Sequence, residues 1–187
     1  MLQTATAHTV HASARSATTT RQTRAPLWRC WISSNSRARY SSQLAGGGHI
    51  AEVLKNRGYE VTCADIVRRD YEGQDYEADF LRDPLQWRGD IVTNPPYKFA
   101  AEFVQHALDV IDEGRKVAMF LKLTFLEGEK RRGLFEHNPP ARIHVFTKRV
   151  NCALNGEAHF FNASSAVCYA WFVWDKGYKG KPVIDWI

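Results

Sequence analysis

The chain has no close pair of cysteines. Cys30, Cys63, Cys152 and Cys168 stand far apart in 187 residues, which excludes the paired spacing of zinc sites and redox dithiols. Reduced, buried thiols are the expectation. No apolar run approaches the roughly 20 residues needed to cross a bilayer, so no membrane span is expected. Acidic residues are missing from the first 44 positions, where six arginines lie: Arg15, Arg21, Arg24, Arg29, Arg37 and Arg39. The net charge of +5 therefore belongs to that segment, because the rest of the chain balances 19 basic against 20 acidic residues. Overall basicity is thus no argument that the folded part binds nucleic acid. The seven histidines are scattered without metal-ligand spacing. What remains, 44% apolar with 12% aromatic residues, is enough to bury the core of one ordinary domain.

Residues 1–43, rich in Ser, Thr, Ala and Arg, hold too little apolar surface to offset their ordering entropy. They read as a disordered or non-native leader, with an organelle transit peptide and a phosphate-contacting arm as other readings of the same composition. Residues 44–187 form the expected domain. There the texture alternates between strand-like and helix-like segments, the pattern of an α/β fold on a largely parallel sheet. Helices are expected over His49 to Arg57, Ala100 to Asp112 and Glu127 to Glu136. Strands are expected over Tyr59 to Ile66, Asp90 to Thr93, Lys116 to Phe125, Arg142 to Phe146 and Ala166 to Trp174, the last read as the final strand. Asn151 to Ser165 reads as a long loop.

Three segments carry chemistry. In Asp90 to Tyr97 a short apolar strand runs straight into Asn94-Pro95-Pro96-Tyr97. Asn94 precedes proline and stays extended, which carries the chain to the carboxyl edge of the sheet, where ligands of open α/β folds bind. The prolines have a fixed φ and no N–H, leaving a stiff turn whose carbonyls are acceptors. That geometry suits an exocyclic amine. If the Asn94 side-chain oxygen and the Pro95 carbonyl each accept one N–H, a delocalised amine nitrogen is driven toward tetrahedral geometry and its lone pair turns to an electrophile. Tyr97 is placed to stack on the flat group.

The second segment is Ala45-Gly46-Gly47-Gly48, opening a helix, with Asp65 at the end of the next strand. Glycines let backbone approach a ligand closely, and an acid there can accept bonds from two ribose hydroxyls. A nucleoside-bearing cofactor is implied, dinucleotides included. The third is Asp79-Phe80: an aspartate at a third strand's end can accept a bond from an adenine amine, with Phe80 packing nearby. Lys148, Arg149 and Lys130-Arg131-Arg132 are read as solvated faces rather than phosphate contacts, and Trp171, Phe172 and Trp174 as core.

The order Gly46-Gly47-Gly48, Asp65, Asp79-Phe80, Asn94-Pro95-Pro96-Tyr97 resembles that of the S-adenosylmethionine-dependent amino-methyltransferases, in particular the adenine-N6 DNA methyltransferases. From Ala45 onward the chain resembles a compact bacterial and bacteriophage group, including its Lys122-Leu123-Thr124-Phe125-Leu126-Glu127-Gly128 segment and the Trp171-Phe172-Val173-Trp174 strand. The resemblance implies a Rossmann-like class I fold: a mostly parallel seven-stranded sheet with an antiparallel last strand. It implies that Ala45, Gly46 and Gly48 hold the methionine part of S-adenosyl-L-methionine, Asp65 its ribose, and Asp79 with Phe80 its adenine. Asn94, Pro95, Pro96 and Tyr97 become the catalytic segment, with DNA as partner, RNA or a protein glutamine amide as alternative acceptors, and a cytoplasmic setting. The base must be flipped out or already unpaired. Where the family has a hydrophobic strand ending in an acid-Pro pair, this chain has Ser42-Gln43 after a polar stretch from Arg37. A domain lacking its first strand is therefore expected, with a non-catalytic remnant binding cofactor or nucleic acid as the competing reading. No target-recognition domain is visible, so selectivity falls to the 151–165 loop, the Lys98-Phe99 turn or a partner subunit.

Overall fold

The structure, a computed structural model, describes residues 39–43, 46–68, 71–84, 86–150 and 167–187. The leader up to residue 38, Ala45, Cys30, Cys152 and the 151–165 loop lie outside the described residues. Eight strands form one sheet: β1 (Arg39–Gln43), β2 (Glu60–Asp65), β3 (Tyr76–Glu77), β4 (Asp90–Thr93), β5 (Lys116–Lys122), β6 (Arg142–Val145), β7 (Tyr169–Asp175) and β8 (Val183–Trp186). Helices α1 (His49–Lys55), α2 (Ala100–Val110) and α3 (Arg132–His137) connect them. The order across the sheet is β3-β2-β1-β4-β5-β7-β6-β8. Strands β1 to β5 run parallel to one another, whereas β7 is antiparallel to both β5 and β6.

The first strand is present, against the sequence expectation. It lies in the centre of the sheet, paired with β2 from Arg39↔Glu60 to Gln43↔Ala64 and with β4 at Tyr40↔Asp90 and Ser41↔Ile91. The physical reason is that ladders on both sides satisfy the backbone whatever the side chains are. One large residue supplies the anchor: Tyr40 is fully buried, its ring edge-on to Tyr59 at 5.0 Å.

The strand count and the identity of the last strand also differ from expectation. The antiparallel strand is β7, and β8 follows it, parallel to β6 on the sheet's margin with Val183 to Trp186 all exposed. A strand without a buried face has no alternation to read. The strand expected over Lys116 to Phe125 ends at Lys122 and gives way to a 3₁₀ turn at Leu123–Leu126. The expected polar helix is interrupted at Gly128, whose φ of 103° suits glycine alone, so α3 begins only at Arg132.

Two apolar layers cover the sheet. Helix α2 buries Ala100, Phe103, Val104, Ala107 and Leu108, one face at helical spacing. They meet Ile91, Val117, Met119, Leu121, Phe172 and Trp174. The alternate residues of the same strands, Val92, Ala118, Phe120, Trp171 and Val173, join Tyr40 and Leu54 of α1 on the opposite face. The helix expected to reach Asp112 stops at Val110; Ile111 turns extended yet stays buried, bridging to Trp87. Cys63 is buried as expected, but Cys168 is exposed, because it precedes β7 rather than facing the core. No helix among the described residues is long and apolar enough to cross a membrane.

Candidate active site at the sheet's switch point

The chain winds outward through β1, β2 and β3, then returns to place β4 on the other side of β1. In open α/β sheets such a reversal leaves a crevice at the carboxyl ends of the two central strands, where ligands bind. Two of the sequence motifs flank it: the glycine turn follows β1, and Asn94 to Tyr97 follow β4.

On the β1 side, Gly46 and Gly48 take φ of 49° and 75°, a left-handed backbone that accounts for glycine at both. The Gly46 N–H donates to Asp65 Oδ2 at 2.9 Å, tying the turn to the end of β2. Asp65 is 3% exposed, and its other oxygen lies 3.5 Å from the Val67 N–H. A carboxylate offers about four lone-pair sites, and the Gly46 N–H takes one of them. Gly48 is closed over by Tyr71, which the sequence did not mark: a Cβ at Gly48 would lie 2.2 Å from that ring. The Tyr71 hydroxyl donates to Glu52 Oε1 at 2.7 Å, and Lys55 Nζ donates to that hydroxyl at 3.3 Å. Burial first, then the bond to Glu52, pushes the Tyr71 hydroxyl above the usual phenol range, so it stays a donor.

Asp79 lies just past β3, as expected, but much of its carboxylate is engaged locally: it accepts from the Leu81 N–H at 3.1 Å and pairs with Arg82 at 3.4 Å. Phe80 is not brought to the crevice. Its ring is 5% exposed and stacks on Phe103 at 5.1 Å within the α2 layer.

On the β4 side, Thr93 is fully buried, Asn94 and Pro96 are exposed, and Pro95 is buried. The turn's carbonyls were expected to stay free as acceptors, but the one at Pro96 is spent inside it: the Phe99 N–H donates to it at 2.9 Å, closing a 3₁₀ turn at Tyr97–Phe99. Among the described residues neither the Asn94 side chain nor the Pro95 carbonyl takes a hydrogen-bond partner. Half-buried Tyr97 has Tyr169 5.9 Å away, and the Lys122 ammonium sits over its ring 5.0 Å from the centroid. Tyr169 in turn stacks on Phe120 at 5.0 Å.

The remaining basic residues divide. Arg131 donates to the Phe125 carbonyl at 2.8 Å and lies over the Phe125 ring, so it clamps its own turn rather than standing free. Arg132 pairs with Glu136 at 2.7 Å on an exposed face. A groove of about 720 Å³ between α2 and α3, lined by Leu81, Glu102, His106, Leu134 and His137 among others, contains none of the crevice residues.

No family profile and no curated protein sequence matches the chain. Solved structures do. A predicted O-methyltransferase from Agrobacterium tumefaciens superposes with a TM-score of 0.58 at 13% identity, over 83% of this chain and 82% of its own. A putative class I S-adenosylmethionine-dependent methyltransferase from Listeria monocytogenes gives 0.55 at 8% identity, over 83% and 59%. TrmN from Thermus thermophilus gives 0.51 at 18% identity, over 74% of this chain and 44% of that one. At these identities the likeness is one of fold, and the fold of this chain is the Rossmann-like fold of the class I methyltransferases.

Proposed function

We propose that this chain is an S-adenosyl-L-methionine-dependent N-methyltransferase whose acceptor is an exocyclic amine, adenine N6 in DNA. One observation carries the reading: at the switch point of a class I sheet, β4 ends in two acceptors, the Asn94 side chain and the Pro95 carbonyl, that no described neighbour uses.

The residues present fit the cofactor. The β2–β3 side of the edge bears Asp65, Glu77, Asp79 and Asp83 against Arg68 and Arg82, an acidic balance that suits a cofactor with sulfonium and ammonium charges. Ala45, Gly46 and Gly48 hold its methionine part, Asp65 its ribose hydroxyls and Asp79 its adenine. Phe80 supports that turn from the core instead of touching the ligand. When bound, the cofactor supplies a methyl group on a sulfonium, open to in-line displacement. The rest is done by the chain. Asn94 Oδ1 and the Pro95 carbonyl accept the two N–H groups and turn the nitrogen lone pair out of conjugation. Pro96 keeps the turn rigid, and Tyr97 stacks on the base, which must be unpaired or flipped to reach the edge.

Labelled cofactor incubated with separate DNA, RNA and protein fractions tests the acceptor. Label in DNA, retained as N6-methyladenine after hydrolysis, is the expected result. Label in protein alone points to a glutamine amide and ends the nucleic-acid reading; label in RNA alone moves the acceptor but keeps the chemistry. Calorimetric titration with S-adenosylhomocysteine separates an enzyme from a remnant that has lost its cofactor.

A further inference from the structure

We propose that Lys122 is a specificity-determining residue, reading the phosphate beside the target base and so confining the Tyr97 platform to nucleotide acceptors. The inference rests on the function proposed above.

Lys122 ends β5 and is opposite Tyr169 in the β5–β7 register, so the place of its backbone is set by the central ladder. Its half-buried side chain carries the ammonium over the Tyr97 ring, 5.0 Å from the centroid. The other lysine of the strand behaves differently. Lys116, at the opposite end, is neutralised by Asp175 at 2.9 Å, where Arg142 also binds. Lys122 has no carboxylate partner among the described residues; Glu127 and Glu129, which follow it in sequence, are exposed.

A cation held partly out of water without a counter-charge is costly unless an anion arrives. The ring gives it a weak resting place, worth less than a charge-assisted bond to an oxyanion. Other cations lie on this part of the edge, Lys98 directly after Tyr97 and Lys148 and Arg149 after β6, beside the exposed Glu127 and Glu129. A base stacking on Tyr97 takes the ammonium's place over the ring, and the phosphates it carries are the anions the displaced ammonium can meet. A glutamine side chain brings no anion at any fixed distance from its amide.

The test compares the full chain with Lys122→Met and Lys122→Arg on a single-stranded oligonucleotide holding one adenine. A second oligonucleotide has neutral methylphosphonate linkages on both sides of that adenine. For the unchanged chain the neutral linkages are expected to raise KM about tenfold or more, the loss of one charge-assisted contact. Lys122→Met should show that loss already on the ordinary oligonucleotide and little more on the neutral one. Its binding should also fall less steeply with salt, the log–log slope being shallower by about 0.7 for a single strand. Lys122→Arg should restore both, with S-adenosylhomocysteine affinity retained in each variant.

If Lys122→Met responds to neutral linkages as strongly as the unchanged chain does, the proposal is overturned while adenine methylation still stands. Should Lys122→Met lose S-adenosylhomocysteine binding through misfolding, the unchanged chain decides alone: indifference to the neutral linkages overturns the proposal. A chain that methylates a glutamine peptide and neither oligonucleotide overturns the proposed function, and this inference with it.

Discussion

Asn94 and Asp65 stand on opposite sides of the same crevice, and substituting each should fail in a different way. In the proposed reaction Asn94→Ala removes an acceptor for the target amine only, so methyl transfer should be abolished while S-adenosylhomocysteine still binds, as rate and calorimetry together would show. An unchanged turnover rate would contradict the role. Asp65→Ala should instead weaken cofactor binding by about 1.5–3 kcal/mol, the worth of a bond to a charged group, and it also releases the Gly46 N–H it now holds. Gly48→Ala meets two obstacles, a φ of 75° and a Tyr71 ring 2.2 Å from the new Cβ. The left-handed backbone costs about 1–2 kcal/mol. Tyr71→Ala in the same chain should recover only the steric part, measured as the melting temperature of the single and double variants. The glycine turn and the placement of Asn94 after β4 were legible in the sequence because backbone preference is local. Tyr71 and Lys122 were not, since each matters only through a ring or a turn that another element brings against it.

Between elements, the join of β4 to β5 carries a buried charge. Asp90 is 6% exposed and accepts the Lys116 N–H at 2.9 Å, while its own carbonyl takes the Trp87 indole N–H at 3.1 Å. Burial raises its pKa above the usual 3.8, with the Lys116 N–H and the charges of Arg115 and Lys116 opposing. A raised folded-state pKa means the folded chain holds the proton more tightly than the unfolded chain. Its contribution is therefore fully present below 3.8 and is lost as pH rises through the raised value. Asp90→Asn keeps an oxygen for the Lys116 N–H without a charge, so it should flatten this part of the stability profile between pH 3 and 6. Denaturant melts across that range would check it. Asp90→Ala, which leaves the N–H unanswered, should destabilise at every pH by about 1–3 kcal/mol.

For the molecule as a whole, β1 joins β2 and β3 on one side to β4 and the rest of the sheet on the other, the two sides to which the proposed function assigns cofactor and acceptor. Its one large core residue is Tyr40, packed in the layer with Leu54, Val92 and Ala118. Tyr40→Ala should therefore cost about 3–5 kcal/mol of stability and loosen cofactor binding along with it, read by thermal melts and by S-adenosylhomocysteine titration on the same sample. That strand is also where the sequence misled. Arg39-Tyr40-Ser41-Ser42-Gln43 looks like the end of a polar leader, and hydropathy alone would remove it from the sheet. Periodicity reports side-chain burial, whereas a central strand can be held by its two ladders. At the other margin, β8 escaped notice for a related reason, having no buried face at all.

By itself the sequence determined the α/β class, the buried strands β4, β5 and β7, helix α2, and the diproline turn at the end of β4, because each depends on neighbours a few residues away. The tertiary structure decided what needs distant partners: that a polar segment completes the sheet beside β4, that Phe80 belongs to the core, and that a lysine rests on Tyr97. Backbone pairing and desolvation act between segments dozens of residues apart, and no local pattern records them.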